Sequence, residues 1–310
     1  MIGKRKEGYF LAVFLLCGST LCAQNNQTFS MPDSVLLIAS PYHDLRVVSP
    51  DHIQVLLPPV NVGQFNPPSI APRGDYIAWG LAVRYDPLRR HPGRFTMGIY
   101  SIAEQKWRTY GDFDDIGAAA FSPDGSKVAF VAEQNDRKKE LLMLDVATGK
   151  ISAWEKATLS WSAGGKGSLG WSPDGKRLAV ELQKIGGSLF IGILDLDTGN
   201  LQPVGDGFEP AWSPTGEWIA YIDPTGEKCM LVHPDGTGTK IAKSVGGRVF
   251  GHREFAWGLV WSPDGKKLLL NEVKGDGPSL DVLLLDLESG RVTRKSKNGL
   301  PAYGWVAQHK

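Results

Sequence analysis

Short apolar runs of four to six residues recur along the chain from about residue 34, and residues typical of turns separate them. Examples occupy positions 127–131, 141–144 and 190–194. Apolar runs of this length that are bounded by Gly, Pro, Asn and Asp are typical of β-strands. After the N-terminal segment, no stretch keeps a helical period for ten residues. The pattern therefore predicts an all-β fold.

A repeated turn sequence divides these runs into units. The sequence Trp-Ser-Pro-Asp-Gly or a related form recurs every 41 to 51 residues, at 70–74 (degenerate), 121–125, 171–175, 212–216 and 261–265. A period of this size is typical of propellers and solenoids. In each unit a strand precedes the turn and another follows it. A second apolar run, often ending in Asp-x-x-(Thr/Ser)-Gly, and a short polar strand complete the unit. Four strands joined by tight turns predict a propeller blade.

The residues of the repeat are predicted to be structural. Proline presets φ near −65°, aspartate tolerates the bridge region, and glycine accepts a positive φ, so the motif suits a tight turn. The aromatic residue before each turn is expected to pack between blades, at Phe121, Trp171, Trp212 and Trp261. The turn aspartates Asp124, Asp174 and Asp264 occupy equivalent places on separate blades. We therefore do not expect them to form an acid–base pair.

The two ends of the chain are predicted to complete the ring. Five units begin at about 66, 117, 167, 208 and 257. Apolar runs near 34–39, 45–48 and 53–57 resemble the last three strands of a blade, and 299–305 resembles an innermost strand. One C-terminal strand and three N-terminal strands would form a sixth blade and remove exposed sheet edges. The sequence thus predicts a six-bladed propeller over 34–310.

The first 23 residues have the pattern of a secretory signal peptide. A basic start (Lys4, Arg5, Lys6) precedes an apolar run, and Leu21-Cys22-Ala23 forms a cleavage site. The apolar run is shorter than the ~20 residues of a membrane span. We therefore expect cleavage, a short leader at 24–33, and an exported chain that is periplasmic or extracellular and does not span a membrane.

The composition of the mature chain favours neither disulfides nor nucleic acid. Two of the three cysteines lie in the signal, and Cys229 begins an apolar strand, which predicts a buried thiol. The net charge of +1 falls to −1 when the signal is removed, so the basic footprint of a nucleic-acid binder is absent. The six histidines lack metal-ligand spacing, and no Gly-Lys-(Ser/Thr) phosphate loop occurs. No metal or cofactor is predicted.

The repeat Trp-Ser-Pro-Asp-Gly-Lys-x-(Leu/Ile)-Ala, followed by an apolar strand and Asp-x-x-Thr-Gly, resembles the WD-like propeller repeat of the TolB family. Prolyl-oligopeptidase-type peptidases carry a similar propeller. The resemblance covers about 34–310 and implies a propeller, here without the α/β domain that precedes the propeller in TolB. It implies no hydrolase, because the Gly-x-Ser-x-Gly nucleophile elbow is missing; the nearest segment begins with Lys166. No catalytic residue is predicted.

Candidate binding residues lie in three long loops, at 81–95, 155–168 and 243–257. In a propeller these loops share the face opposite the short turns, and variable loops on a rigid scaffold concentrate binding residues. Arginine with aromatic residues is also typical of interface hot spots. We expect a cationic, aromatic-lined rim formed by Arg84, Tyr85, Arg89, Arg90, His91, Trp161, Lys166, Arg248, His252, Arg253 and Glu254.

The sequence thus favours a non-enzymatic scaffold that binds a protein, a peptide or an anionic glycan of the cell envelope. Two alternatives remain open at this point. One is a metal-dependent lyase acting on acidic polysaccharide, in which His91 and His252 would converge across the channel. The other is a non-catalytic propeller subunit of a peptidase-like complex.

Overall fold

The structure of the chain is a computed structural model. The structure describes residues 34–38, 45–48, 53–56, 68–86, 91–134, 139–156, 168–244, 248–249, 252–253, 255–273, 280–296 and 302–306. Within these ranges every helix-or-strand element is a β-strand, as the apolar pattern predicts. None of the described segments forms a helix with the length and hydrophobicity of a membrane span.

The strands follow one another with short connections. The N-terminal strands are β1 (Ser34–Ile38), β2 (Leu45–Val48) and β3 (Ile53–Leu56). They are followed by β4 (Ser69–Ile70), β5 (Tyr76–Asp86), β6 (His91–Ser101), β7 (Lys106–Phe113), β8 (Asp115–Phe121), β9 (Lys127–Glu133), β10 (Glu140–Asp145) and β11 (Ile151–Ala153). The middle of the chain forms β12 (Leu169–Trp171), β13 (Arg177–Gln183), β14 (Leu189–Asp195), β15 (Leu201–Asp206), β16 (Phe208–Trp212), β17 (Ile219–Ile222), β18 (Lys228–Val232) and β19 (Lys240–Ser244). The last strands are β20 (Arg248–Val249), β21 (His252–Arg253), β22 (Phe255–Trp261), β23 (Lys267–Val273), β24 (Leu280–Asp286), β25 (Val292–Ser296) and β26 (Ala302–Val306).

Five four-stranded antiparallel sheets are each built from consecutive strands, β4–β7, β8–β11, β12–β15, β16–β19 and β22–β25. The predicted four-strand unit is therefore confirmed. A further four-stranded sheet has the order β26-β1-β2-β3, in which Val35 lies opposite Trp305. The short strands β20 and β21 form a separate two-stranded ribbon.

Successive side chains of a strand point to opposite faces of its sheet, so each sheet can pack against both the preceding and the following sheet in the chain. Val128 and Phe130 of β9 belong to a core shared with the preceding sheet. Ala129 and Val131, which alternate with them, belong to a core shared with β13 of the following sheet. The apolar runs are thus buried on both faces, which explains why they read as continuous rather than alternating.

The innermost strands line a central channel, and small residues allow their close approach. The cavity measures about 550 Å³ and is lined along β8, β12 and β16 by residues such as Ala119, Gly170 and Ala211. The predicted burial of Cys229 is confirmed: the residue is fully buried, and burial raises the pKa of its thiol to about 12. A thiol with so high a pKa is unreactive near neutral pH.

Candidate functional site

The repeated turns form one end of the channel, and their polar groups bind one another. In the first complete turn, the Ser122 hydroxyl donates to the carboxylate of Asp124 over 2.6 Å, and the backbone N–H of Lys127 donates to the Ser122 hydroxyl oxygen over 3.0 Å. The hydrogen bond from Ser122 is the main cause that lowers the pKa of Asp124 to about 2. The turn carboxylate is therefore ionised and occupied by its own turn. The predicted structural role of Asp124 is confirmed.

These turns touch from one sheet to the next. The glycine of each turn lies beside the proline of the preceding turn, in the pairs Gly125 and Pro72, Gly175 and Pro123, Gly216 and Pro173, and Gly265 and Pro214. The Asp-x-x-Thr-Gly turns lie at the same end, because the backbone N–H of Val146 donates to the Ser126 carbonyl over 2.9 Å. We call this end, formed by both kinds of turn, the turn face.

The aromatic residues before the turns pack between sheets, as predicted. Phe121, Trp212 and Trp261 are buried, whereas Trp171 is partly exposed. The indole N–H of Trp261 donates to the Ala211 carbonyl over 2.9 Å and so fastens one innermost strand to its neighbour.

At the opposite end, the segment 81–95 was predicted as a loop, and this prediction is wrong for most of its length. Strand β5 continues to Asp86 and β6 begins at His91, which makes each strand 11 residues long. Leu81 and Phe95, at the two ends of the segment that was predicted as a loop, are fully buried. Because these residues still face a core, the strands continue through them. The result is a hairpin that extends the sheet on the side away from the turns.

This hairpin brings three of the predicted binding residues together along the backbone. Arg84 lies opposite Arg94, Tyr85 opposite Pro92, and Asp86 opposite His91. The register shifts on both sides of Arg84, so the hairpin carries bulges, which bend and twist a strand pair. Arg89 and Arg90 lie outside the described residues.

The segment 243–257 likewise contains strands where a loop was expected. Arg248 lies opposite Arg253 and Val249 opposite His252 in the ribbon β20–β21, and β22 already begins at Phe255. Glu254, Trp161 and Lys166 are outside the residues that the structure describes. We call the end of the sheets that carries the hairpin β5–β6 and the ribbon β20–β21 the long-loop face. Lys156, which lies in the predicted loop 155–168, is instead beside a turn, because its ammonium donates to the carbonyls of Leu196 and Asp197.

The described part of the long-loop face carries charges of both signs. The guanidinium of Arg94 donates to the carboxylate of Asp112 over 2.8 Å and also pairs with Asp114. The hydrogen bond from Arg94 holds the pKa of Asp112 below its ordinary value. Lys139 pairs in the same region with Asp115 over 2.8 Å. The acidic partners lie at the end of β7 and the start of β8, where the two strands meet.

Sequence reasoning missed Glu209, which lines the channel near the long-loop face. Its φ is +55°, and it is one of two described non-glycine residues with a positive φ. Its carboxylate accepts a hydrogen bond from the backbone N–H of Gly258 in the next sheet. Its own backbone N–H donates to the carboxylate of Glu181 over 3.0 Å, and Glu181 is itself buried. A chain of hydrogen bonds therefore joins three sheets beside the channel.

A comparison among the repeats contains a signal that could have identified Glu209. It stands three residues before Trp212, and Gly258, whose φ is +64°, stands three residues before Trp261. The corresponding residues before Phe121 and Trp171 are Ala118 and Ser168. A glutamate therefore occupies a bulged position where the other repeats have small residues. Strained non-glycine residues of this kind concentrate at functional sites.

Four-stranded meander sheets that pack face to face around a channel define a β-propeller. Comparison with solved structures supports this class. TolB from Acinetobacter baumannii superposes with a TM-score of 0.63 at 18% identity, over 90% of this chain and 67% of that one. A candidate TolB from Agrobacterium tumefaciens gives 0.63 at 21% identity, over 89% and 92% of the two chains. An oligogalacturonate lyase in complex with manganese gives 0.53 at 15% identity, over 86% and 75%.

At these identities the comparisons establish the fold, and the predicted resemblance to TolB propellers is confirmed at that level. No family model and no curated protein matches the chain. Among the described side chains, no group of three or more His, Cys, Asp and Glu has the geometry of a metal site.

Proposed function

We propose that the protein is an exported six-bladed propeller that acts as a binding scaffold and engages a protein or peptide of the cell envelope through its long-loop face. The observation that carries the proposal is the contrast between the two ends of the channel. At the turn face, related turns recur from sheet to sheet and hydrogen-bond their own polar groups. The long-loop face carries the extended hairpin β5–β6, the ribbon β20–β21 and the strained Glu209.

Each of these features supports binding at the long-loop face for a separate reason. Arg84, Tyr85 and His91 are strand residues of the extended hairpin, and residues of these types are suited to interfaces. A channel of about 550 Å³ is of the size that holds a side chain or a short extended segment. Glu209 places a carboxylate in the wall of that channel.

Closure of the ring by a sixth blade belongs to the same proposal. It is supported by the pairing of β26 with β1 and by the contacts that β26 makes with both β4 and β22. A closed ring would hold the long-loop segments in fixed relative positions, and fixed positions reduce the entropy lost on binding.

Capture of envelope proteins on the immobilised mature chain, followed by a binding titration with the purified partner, tests the proposal. Changing Arg89, Arg90 and Arg253 to alanine should weaken binding about tenfold or more, since arginine anchors of an interface each contribute 1 kcal/mol or more. The matched control changes the exposed turn-face residues Lys150, Lys266 and Arg291 to alanine, which removes the same charge. Equal loss in both variants would indicate a non-specific charge effect and would contradict the proposed face.

An anionic glycan is the second class of partner that the arginine-rich segments favour. Titration with trigalacturonate distinguishes it, because the triple arginine variant should lose glycan binding while the turn-face control retains it. Elemental analysis of the same samples addresses the lyase alternative: stoichiometric manganese together with cleavage of polygalacturonate would replace the scaffold proposal.

A further inference from the structure

A second cavity opens on the turn face, between the sheet β8–β11 and the sheet β12–β15. It is a groove of about 470 Å³ whose floor is formed by Met143, Trp154 and Trp171. We propose that this groove is a carbohydrate site that binds an uncharged pyranose unit of an oligosaccharide. The site lies on the face opposite the proposed partner-binding face and is independent of it.

Two residues of the groove, Met143 and Trp171, are partly exposed, whereas most of their counterparts in the other repeats are buried. Met143 lies opposite Ala129, and the corresponding residues of the other four consecutive-strand sheets are Ile99, Ile193, Leu231 and Leu284. Those four residues are buried, whereas Met143 is partly exposed. Trp171 is likewise partly exposed, whereas the aromatic residues at its position in three other sheets are buried. Two separate positions therefore indicate an opening between these two sheets.

Hydrogen bonds across the groove fix both indole rings. The indole N–H of Trp171 donates to the Ala120 carbonyl over 3.0 Å, and that of Trp154 donates to the Leu196 carbonyl over 3.3 Å. The ammonium of Lys156 also donates to the Leu196 carbonyl, over 2.8 Å. Since the N–H groups are occupied, the rings contribute their apolar surfaces to the groove. A platform that is rigid before binding loses little entropy when a ligand is bound.

The equivalent position in the preceding sheet has a different arrangement. Tyr110 of β7 corresponds to Trp154, and its ring lies directly against Gly149 in the next turn, so that a Cβ atom there would be 2.5 Å from the ring. At the corresponding Gly199, the nearest atoms belong to Lys156 instead. The ring of Tyr110 therefore fills the space beside the turn at Gly149. The indole of Trp154 instead donates to the Leu196 carbonyl, and Lys156 lies beside Gly199.

The rim of the groove determines the class of ligand. It carries three ammonium groups and three carboxylates, from Lys127, Lys156, Lys176, Asp124, Asp174 and Asp197. Balanced charges give no preference for an anion or a cation. Asp124 and Asp174 accept hydrogen bonds from their own turns, but a carboxylate can accept about four, so the rim still offers acceptors beside its donors. This combination suits a ring of hydroxyl groups that both donate and accept. The C–H face of a pyranose is apolar and packs on aromatic rings, while its hydroxyls reach such a rim.

Methionine-methyl NMR of the mature chain tests the inference, because Met143 is one of only four methionines after removal of residues 1–23. The probes are maltotriose, cellotriose and triacetylchitotriose, with the anionic trigalacturonate for comparison. At least one neutral trisaccharide should shift the Met143 methyl signal saturably, with a dissociation constant of about 1 mM or lower. The signal of the fully buried Met97 should remain unchanged. Loss of the signal in Met143→Leu provides the assignment.

Two variants locate the site. Trp154→Ala should weaken sugar binding about tenfold, and the matched control Tyr110→Ala at the equivalent position should not. Lys176→Ala removes an exposed rim donor with little effect on folding and should weaken binding by a smaller factor. If Trp154→Ala loses the dispersed methyl spectrum of a folded protein, the sugar affinity of Lys176→Ala tests the inference instead.

Three results would overturn the inference. The first is the absence of any Met143 shift with the neutral trisaccharides. The second is tighter binding of trigalacturonate than of every neutral probe, which would indicate a site for anions. The third is unchanged sugar affinity in a folded Trp154→Ala or in Lys176→Ala.

Discussion

Glu209 joins two sheets through its side chain while its own backbone adopts a strained conformation with a positive φ. A positive φ costs a residue with a Cβ atom about 1–2 kcal/mol. A hydrogen bond to a charged group returns about 1.5–3 kcal/mol. The carboxylate of Glu209 makes such a bond with the backbone N–H of Gly258. The balance favours the observed conformation, and it makes separate predictions for two substitutions.

Glu209→Ala should lower the free energy of unfolding by about 2 kcal/mol, because it keeps the backbone strain and loses the hydrogen bond. Glu209→Gly loses the same bond but tolerates the positive φ, so its loss should be smaller by about 1 kcal/mol. Urea denaturation of the two variants measures the difference. Equal stability of the two, or a more stable alanine variant, would show that the backbone is not strained at this position.

The turn aspartates predict a dependence of stability on pH. The pKa of Asp124 is about 2 in the folded chain, below its ordinary value of 3.8. A carboxyl group with a lowered pKa stabilises the fold above its ordinary pKa, and this contribution is lost as the pH falls toward the folded value. The lowered pKa values of Asp174 and Asp264 act in the same direction.

Asp124→Asn should therefore be less stable than the natural chain at pH 7, and the gap should narrow as the pH falls from about 4 to about 2. Denaturant unfolding at several pH values checks this prediction. Ser126→Ala, which removes a hydroxyl that also donates to Asp124, should show a smaller gap with the same pH dependence. A gap that is constant across this pH range would mean that the charge of Asp124 does not stabilise the turn.

At the scale of elements, the sequence predicts the blades better than it predicts the site. Apolar runs bounded by Pro, Asp and Gly identify strands such as β9 and β13 because they are buried on both faces and the adjacent turns are local. The lengths of β5 and β6 could not be predicted from the pattern of apolar runs and turn residues. Their extension depends on Leu81 and Phe95 remaining buried against other elements, and the charged residues that follow resemble a loop. The strain at Glu209 depends on a contact with Gly258, which is distant in sequence.

The strand β26 provides a test of ring closure. Deletion of residues 299–310 removes the strand that pairs with β1 and should lower the melting temperature by about 10 °C or more, since a lost sheet partner costs several kcal/mol. Deletion of 307–310 alone, which leaves β26 intact, is the control and should have little effect. An unchanged transition in the longer deletion would exclude this strand as the closing element.

At the scale of the whole molecule, the turns that join neighbouring sheets and the segments that we propose to bind a partner lie at opposite ends of the sheets. The turns bind their own polar groups and pack from sheet to sheet, so their sequence is constrained and repeats. The sequences of the long-loop segments differ from one repeat to the next. The groove at Met143 is one place on the described turn face where a repeat differs from the others.

Hydrogen–deuterium exchange of the mature chain with and without its captured partner tests the division between the two faces most directly. We predict that binding protects peptides from 81–95 and 243–257, while peptides that contain the turns at 121–125 and 261–265 keep their exchange rates. Protection confined to the turn peptides, with the long-loop segments unchanged, would contradict the assignment of the binding face.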